Sequence, residues 1–244
     1  MTIWHAEHGA GEPVVLLHST AADSGMWQGQ VEALAERFRV ITVDLRGYGR
    51  TPYRAEAPYS DAADVAEVLA GLGVRRAALV GSSGGTRVAL ELAAAGLADR
   101  LVLLNPVAGV PPTSDVRAYW SEEGRLLEAG DLDGAAGLTV RTLLGPHAPA
   151  AARERLAAMQ RKAYALQLAA DPEPEQVETE FTPAAIDVPA LVVVGAHDLE
   201  WFRRCARHLA GELPQGRLVE LDWAGHLPAL ERPEEIARLL LDYL

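Results

Sequence analysis

The chain has 244 residues, 49% of them apolar, which suits one medium domain with a well-buried core and an insertion but not two independent domains. Its net charge of −12 repels phosphate backbones and anionic lipid, so nucleic acid and membrane surfaces are excluded as partners. Cys205, the single cysteine, can form no internal disulfide, and no stretch reaches membrane-spanning length. With an N-terminus that lacks a basic, apolar leader, this predicts a soluble cytoplasmic protein.

From the N-terminus, short apolar runs bounded by turn residues predict buried strands at 2–5, 14–17, 40–43, 77–80, 101–104, 191–194 and 218–221. Helical patterns lie between most of them, around 28–37, 60–72, 87–95, 202–210 and 233–243. The last opens with proline and two glutamates, as helix N-termini prefer. Alternation of strand and helix predicts an α/β fold, a mainly parallel sheet with helices on both faces. Residues 109–188 break the rhythm. They are too long for one crossover and carry three amphipathic patterns at 114–129, 132–144 and 150–169, so they read as a helical lid. The core is then 1–108 and 189–244, with the lid leaving the run 101–104 and covering the sheet edge where ligands bind.

Gly81-Ser82-Ser83-Gly84-Gly85 follows the strand at 77–80 and precedes a helix. Small residues on both sides let a strand-to-helix turn close sharply, and the turn would hold the Ser83 hydroxyl clear of the sheet with the Gly84 N–H free for a developing oxyanion. A glycine-flanked serine alone is often just a turn. Its partners stand past the next strand ends: Asp198 follows the run 191–194, and His226 follows the run 218–221. Both loops leave a parallel sheet on the same edge as Ser83, in the chain order serine, acid, base. The competing readings are an N-cap for Asp198 and an ordinary loop histidine for His226.

Together Val14-Val15-Leu16-Leu17-His18-Ser19, Asp44-Leu45-Arg46-Gly47-Tyr48-Gly49-Arg50, the Ser83 turn, Gly195-Ala196-His197-Asp198 and Gly225-His226-Leu227-Pro228 resemble the α/β-hydrolase superfamily over nearly the whole chain. Within it the chain looks most like small-lidded bacterial esterases and 3-oxoadipate enol-lactonase-like hydrolases. The resemblance implies an α/β-hydrolase fold with the lid after the sixth strand, Ser83 as nucleophile, Asp198 as acid and His226 as base. It also implies an oxyanion hole from the backbone N–H groups of Thr20 and Gly84. Two positions depart from the family pattern: Ser19 stands where glycine is usual after His18, and Gly84 stands where a bulkier residue is usual after the nucleophile.

His18 reads as a packed structural residue. Asp44, also at a strand end, reads as part of a loop held by an internal ion pair with Arg46 and a turn. No histidine has metal-ligand spacing, so neither metal nor cofactor is expected. Trp27, Trp120, Met159 and Tyr164 are candidate pocket walls, against plain packing, and Arg141 is the candidate clamp for a substrate carboxylate, against an exposed surface arginine. The chemistry suits a small-molecule ester, lactone or thioester cleaved through an acyl-enzyme. Hydrolysis of C–C bonds, cofactor-free perhydrolysis, and a non-hydrolytic receptor or cyclase on the same fold stay open as alternatives.

Overall fold

The computed structural model describes residues 2–244. Its strands are β1 (His5–His8), β2 (Pro13–Leu17), β3 (Arg39–Val43), β4 (Ala77–Ser82), β5 (Ala98–Leu104), β6 (Ala190–Gly195) and β7 (Gly216–Leu221). They form one sheet in the order β1-β3-β2-β4-β5-β6-β7, with only β1 antiparallel to its neighbour. Among the described residues no helix is long and apolar enough to cross a membrane.

Successive side chains of a strand point to opposite faces, so each inner strand feeds two cores. Val14 and Leu16 of β2 pack with Leu34 of α1 (Gln28–Leu34) and with Ile236 and Leu240 of α9 (Pro233–Tyr243). Val15 and Leu17 pack on the other face with Val65 and Leu69 of α2 (Asp61–Gly71) and with Val88 and Leu92 of α3 (Gly84–Ala94). All six residues of β6 are buried, which is why such strands read as unbroken apolar runs. Helix starts follow local chemistry: the Ser60 hydroxyl accepts from the Ala63 N–H at 3.3 Å to cap α2, and Pro233 opens α9 at the bounds the sequence predicts.

Three expectations are corrected. The first strand is His5–His8 and not 2–5, because Ile3 is drawn into the core by burial while the polar residues after it make the edge pairing with β3. Three helices, α4 (Ser114–Glu128), α5 (Leu132–Leu143) and α6 (Ala150–Leu168), do separate β5 from β6, so the insertion leaves the fifth strand of this chain and not a sixth. The loop after β3 is held differently. Arg46 makes two hydrogen bonds to Asp64 of α2 at 2.5 and 2.7 Å, whereas Asp44 accepts the Ser24 and Arg50 N–H groups at 2.9 and 2.8 Å. Two further helices, α7 (Glu200–Glu212) and the short α8 (Pro228–Glu231), follow β6 and β7.

The turn from β4 into α3 is crowded by backbone. A side chain at Gly85 would collide with the Leu17 and His18 carbonyl oxygens, and one at Gly81 would lie 2.5 Å from the Gly85 carbonyl. At Gly84 the obstacle is one methyl group, Thr20 Cγ2, at 2.5 Å. Gly85→Ala is therefore expected to lower the melting temperature by roughly 3–10 °C, as overpacking against rigid atoms does. Gly84→Ala should also destabilise, but Thr20→Ser removes the obstructing methyl, and adding it to Gly84→Ala should recover most of the lost melting temperature. Failure of that rescue would place the strain elsewhere in the turn.

Asp61 supplies a pH test. It begins α2 with its Oδ2 accepting from Gln176 at 2.9 Å while its buried Oδ1 has no partner, and burial, reinforced by the charge of Asp64, raises its pKa to about 7. The folded chain thus holds this proton up to about pH 7, while the unfolded chain releases it near pH 4. Stability from this group is present at low pH and lost as pH rises through 7. Asp61→Asn should raise the melting temperature at pH 8 and change it little at pH 4, as thermal denaturation at the two pH values would read.

Candidate active site

Ser83 stands between β4 and α3 with φ 51° and ψ −120°, a conformation that non-glycine residues rarely adopt. Its N–H donates to Leu104 O at 2.9 Å, and its carbonyl accepts from Thr86 N and Thr86 Oγ1 at 2.9 and 2.5 Å. These bonds hold the strained backbone from both sides. Ser82, one residue earlier, is buried at the end of β4 with its hydroxyl unpartnered, so the turn presents Ser83 and not Ser82.

The Ser83 Oγ lies 2.8 Å from His226 Nε2, and His226 Nδ1 lies 2.7 Å from Asp198 Oδ2. All three side chains are buried, and the Phe202 ring covers the imidazole at 3.9 Å between centroids. A carboxylate accepts only, so Nδ1 carries the proton toward Asp198 and the neutral ring leaves Nε2 as an acceptor for the Ser83 hydroxyl. The three residues that the strand-end positions single out are brought together in one hydrogen-bonded chain.

Asp198 is held by two further donors, Asn105 Nδ2 to Oδ2 and the Leu199 N–H to Oδ1, both at 2.7 Å. Asn105 is the uncharged residue just past the end of β5. It sits at φ 49°, which asparagine tolerates, and also donates to Gly225 O at 3.1 Å. An aspartate there would set two carboxylates against each other.

The histidine loop is tied to the inserted helices. The His226 N–H donates to Leu143 O at the end of α5, at 2.6 Å. Buried Glu231 accepts the N–H groups of Gly225 and Gly145 at 2.9 and 3.1 Å, bridging the histidine loop to the segment after α5. Burial pushes the Glu231 carboxyl up, against the pull of those N–H donors. Gly225 and Gly145 approach so closely that a side chain on either would collide with the other's backbone.

Among the described residues, the Thr20 and Gly84 N–H groups donate to no protein acceptor. The loop before Thr20 is held from below. His18 Nδ1 is 2.9 Å from Ser19 O, and the Leu45 N–H donates to His18 Nε2 at 2.9 Å, while burial lowers the pKa of this histidine. Ser19 does not have a positive φ, so the missing glycine costs nothing there, and its hydroxyl accepts the Ala21 N–H at 3.1 Å.

A cavity of about 280 Å³ opens onto Ser83, His226 and Thr20. Trp120 and Tyr164 line it as expected; three other candidates do not. Trp27 is wholly buried in the core, Met159 packs into the same cluster beside the 24–27 turn, and Arg141 is exposed on the side of α5 away from its buried residues Ala136, Val140 and Leu143. The carboxylate clamp at Arg141 is therefore set aside. The walls that were missed include Tyr119, Glu123, Gln160 and Gln167. Their signal was spacing: 119 and 123 are one turn apart on α4, and 160, 164 and 167 follow one face of α6. A second cavity, about 270 Å³, meets Thr20 and Gly84 but neither Ser83 nor His226. No group of three or more histidine, cysteine, aspartate or glutamate side chains suited to a metal ion occurs among the described residues.

The sequence profile of the Alpha/beta hydrolase family matches residues 14–239. The provisionally named carbamate hydrolase RutD of Agrobacterium fabrum is 30% identical, covering 98% of this chain and 96% of its own length. A pimeloyl-[acyl-carrier protein] methyl ester esterase of Aeromonas hydrophila is 29% identical, covering 98% of each. The crystal structure of the enol-lactonase from Burkholderia xenovorans superimposes with a TM-score of 0.76 at 26% identity, covering 99% of this chain and 95% of that one. With its mainly parallel seven-stranded sheet, a family profile spanning most of its length and relatives of esterase and lactonase type, this chain belongs to the α/β-hydrolase family.

Proposed function

We propose that the chain is a serine hydrolase that cleaves a carboxylic ester, lactone or thioester of a small molecule through an acyl-enzyme. The observation that carries this reading is the buried chain from Ser83 Oγ through His226 to Asp198, at 2.8 and 2.7 Å. His226 Nε2 takes the Ser83 proton as Oγ attacks the substrate carbonyl, and Asp198 supports the resulting imidazolium through Nδ1–H. The tetrahedral oxyanion is received by the free N–H groups of Thr20 and Gly84, which need no reorganisation as charge develops. Collapse expels the alcohol or thiol with the proton now on Nε2. Water then attacks the acyl carbon, with His226 again taking the proton, and Ser83 leaves as the alcohol. The activities for which the relatives are named, on a carbamate, a methyl ester and an enol-lactone, all fit attack at an acyl carbon.

We read residues 109–188 as a lid over this centre. Its helices carry Tyr119, Trp120, Glu123 and Tyr164 into the cavity, and the end of α5 at Leu143 is bonded to the histidine loop, so substrate selection and water exclusion fall to the same segment.

Ser83→Ala should abolish hydrolysis of an activated acetate ester with an unchanged melting temperature, whereas Ser82→Ala retains most activity; the opposite pattern would move the nucleophile. Asp198→Asn presents the wrong histidine tautomer and should lower kcat by about 10⁴, the magnitude known for a comparable serine protease. Asn105→Ala removes one charge-assisted hydrogen bond from Asp198 and should lower kcat by about 10- to 150-fold with little change in KM. A kcat unchanged in Asn105→Ala would show that His226 and the Leu199 N–H suffice to hold the carboxylate.

A further inference from the structure

The distal wall of the active-site cavity is polar in one sense. Glu123 Oε1 accepts the Tyr119 and Tyr164 hydroxyls at 2.8 and 2.5 Å, and Thr139 Oγ1 lies 3.2 and 3.1 Å from the same two hydroxyls. Burial raises the pKa of both phenols, so they stay protonated as donors to Glu123. This network joins α4, α5 and α6, and by itself it is a structural tie. It leaves two acceptors unused. No protein group donates to Glu123 Oε2, and Gln160, buried to within 5% and lining the same cavity, has its Oε1 without a partner. A buried amide oxygen left unpaired is costly, so the site is built to receive a donor.

The remaining surroundings select the kind of donor. Among the described residues no lysine or arginine lines the cavity, and Tyr48, Tyr119, Trp120, Tyr164 and Phe202 line it with aromatic rings. An anionic substrate group would meet Glu123 with nothing to neutralise it. A neutral alkyl group would bury both acceptors unpaired. An ammonium supplies several donors and a positive charge, which both the carboxylate and the ring faces attract.

We propose that the substrate carries a protonated amine, bound between Glu123 Oε2 and Gln160 Oε1 while its ester or lactone carbonyl reaches Ser83. The inference rests on the hydrolase reading above and narrows it to amine-bearing acyl compounds, away from the carboxylate-bearing ones that Arg141 had suggested. A cavity of about 280 Å³ limits such a substrate to a small molecule.

The test separates recognition from chemistry. Binding of methyl 6-aminohexanoate, methyl heptanoate and monomethyl pimelate to the Ser83→Ala protein is measured by calorimetry, together with 5-aminopentyl acetate and hexyl acetate, which carry the same contrast on the alcohol side. In at least one series the amine is expected to bind about tenfold or more tighter than its alkyl match, with monomethyl pimelate weakest in the acyl series. Adding Glu123→Gln, which still accepts both tyrosine hydroxyls, should remove that preference, and so should Gln160→Leu in part. Amines that bind no better than alkyl groups in both series overturn the inference, as does a preference that survives Glu123→Gln in a folded protein. Wild-type turnover of the same esters is read separately: no hydrolysis of any of them would overturn the hydrolase reading and leave the binding result standing.

Discussion

The arrangement depends on one demand placed on His226: its ring must offer an acceptor to Ser83 and a donor to Asp198 at once, from a loop with no regular structure. A free loop would lose that alignment to conformational entropy. Here the loop is fastened at consecutive residues. Gly225 gives its N–H to Glu231 and its carbonyl to Asn105, and the His226 N–H goes to Leu143. Three different parts of the chain thereby fix one imidazole; one of them, Leu143, comes from the insertion, and Glu231 also binds Gly145 of the same insertion. The inserted helices and the His226 loop are one mechanical unit, so a displacement of α5 reaches the imidazole directly.

The charges are arranged with the same economy. Asp198 is buried yet satisfied by three donors, His226, Asn105 and Leu199, which is what allows an ionised carboxylate away from water. Glu231 is satisfied by backbone donors alone. Glu123 differs from both, since one oxygen is saturated by tyrosines and the other is open to the cavity. That asymmetry sets Glu123 apart from the two carboxylates whose donors hold the catalytic loops.

Much of this could be read from the sequence, and the limits have physical reasons. The sheet was legible because inner strands are buried on both faces and so appear as apolar runs, and the serine turn was legible because glycines were needed within five residues of one another. The loops carrying Asp198 and His226 followed from strand ends, which local pattern sets well. The edge strand was misplaced because its residues are polar and its apolar neighbour Ile3 is buried without pairing. The pocket was least legible. On α6, Met159 turns to the core and Gln160, the next residue, turns to the cavity, a distinction made by how the helix docks and not by its composition. Aromatic and sulfur side chains drew attention, while the polar residues one and two turns away carried the information.

The two departures from the family pattern also prove to be of different kinds. Ser19 replaces a glycine at a position whose backbone is ordinary in this chain, and its hydroxyl contributes a bond to Ala21, so that substitution is self-contained. Gly84 is coupled to another residue. The space a side chain would occupy is filled by the methyl of Thr20, and Thr20 and Gly84 are the two residues whose free N–H groups face the same cavity system. A larger residue at 84 would push the Thr20 loop away and spread the two donors apart. The glycine is thus required by the threonine opposite it, and the two residues form a matched pair in which a larger side chain at one needs a smaller one at the other.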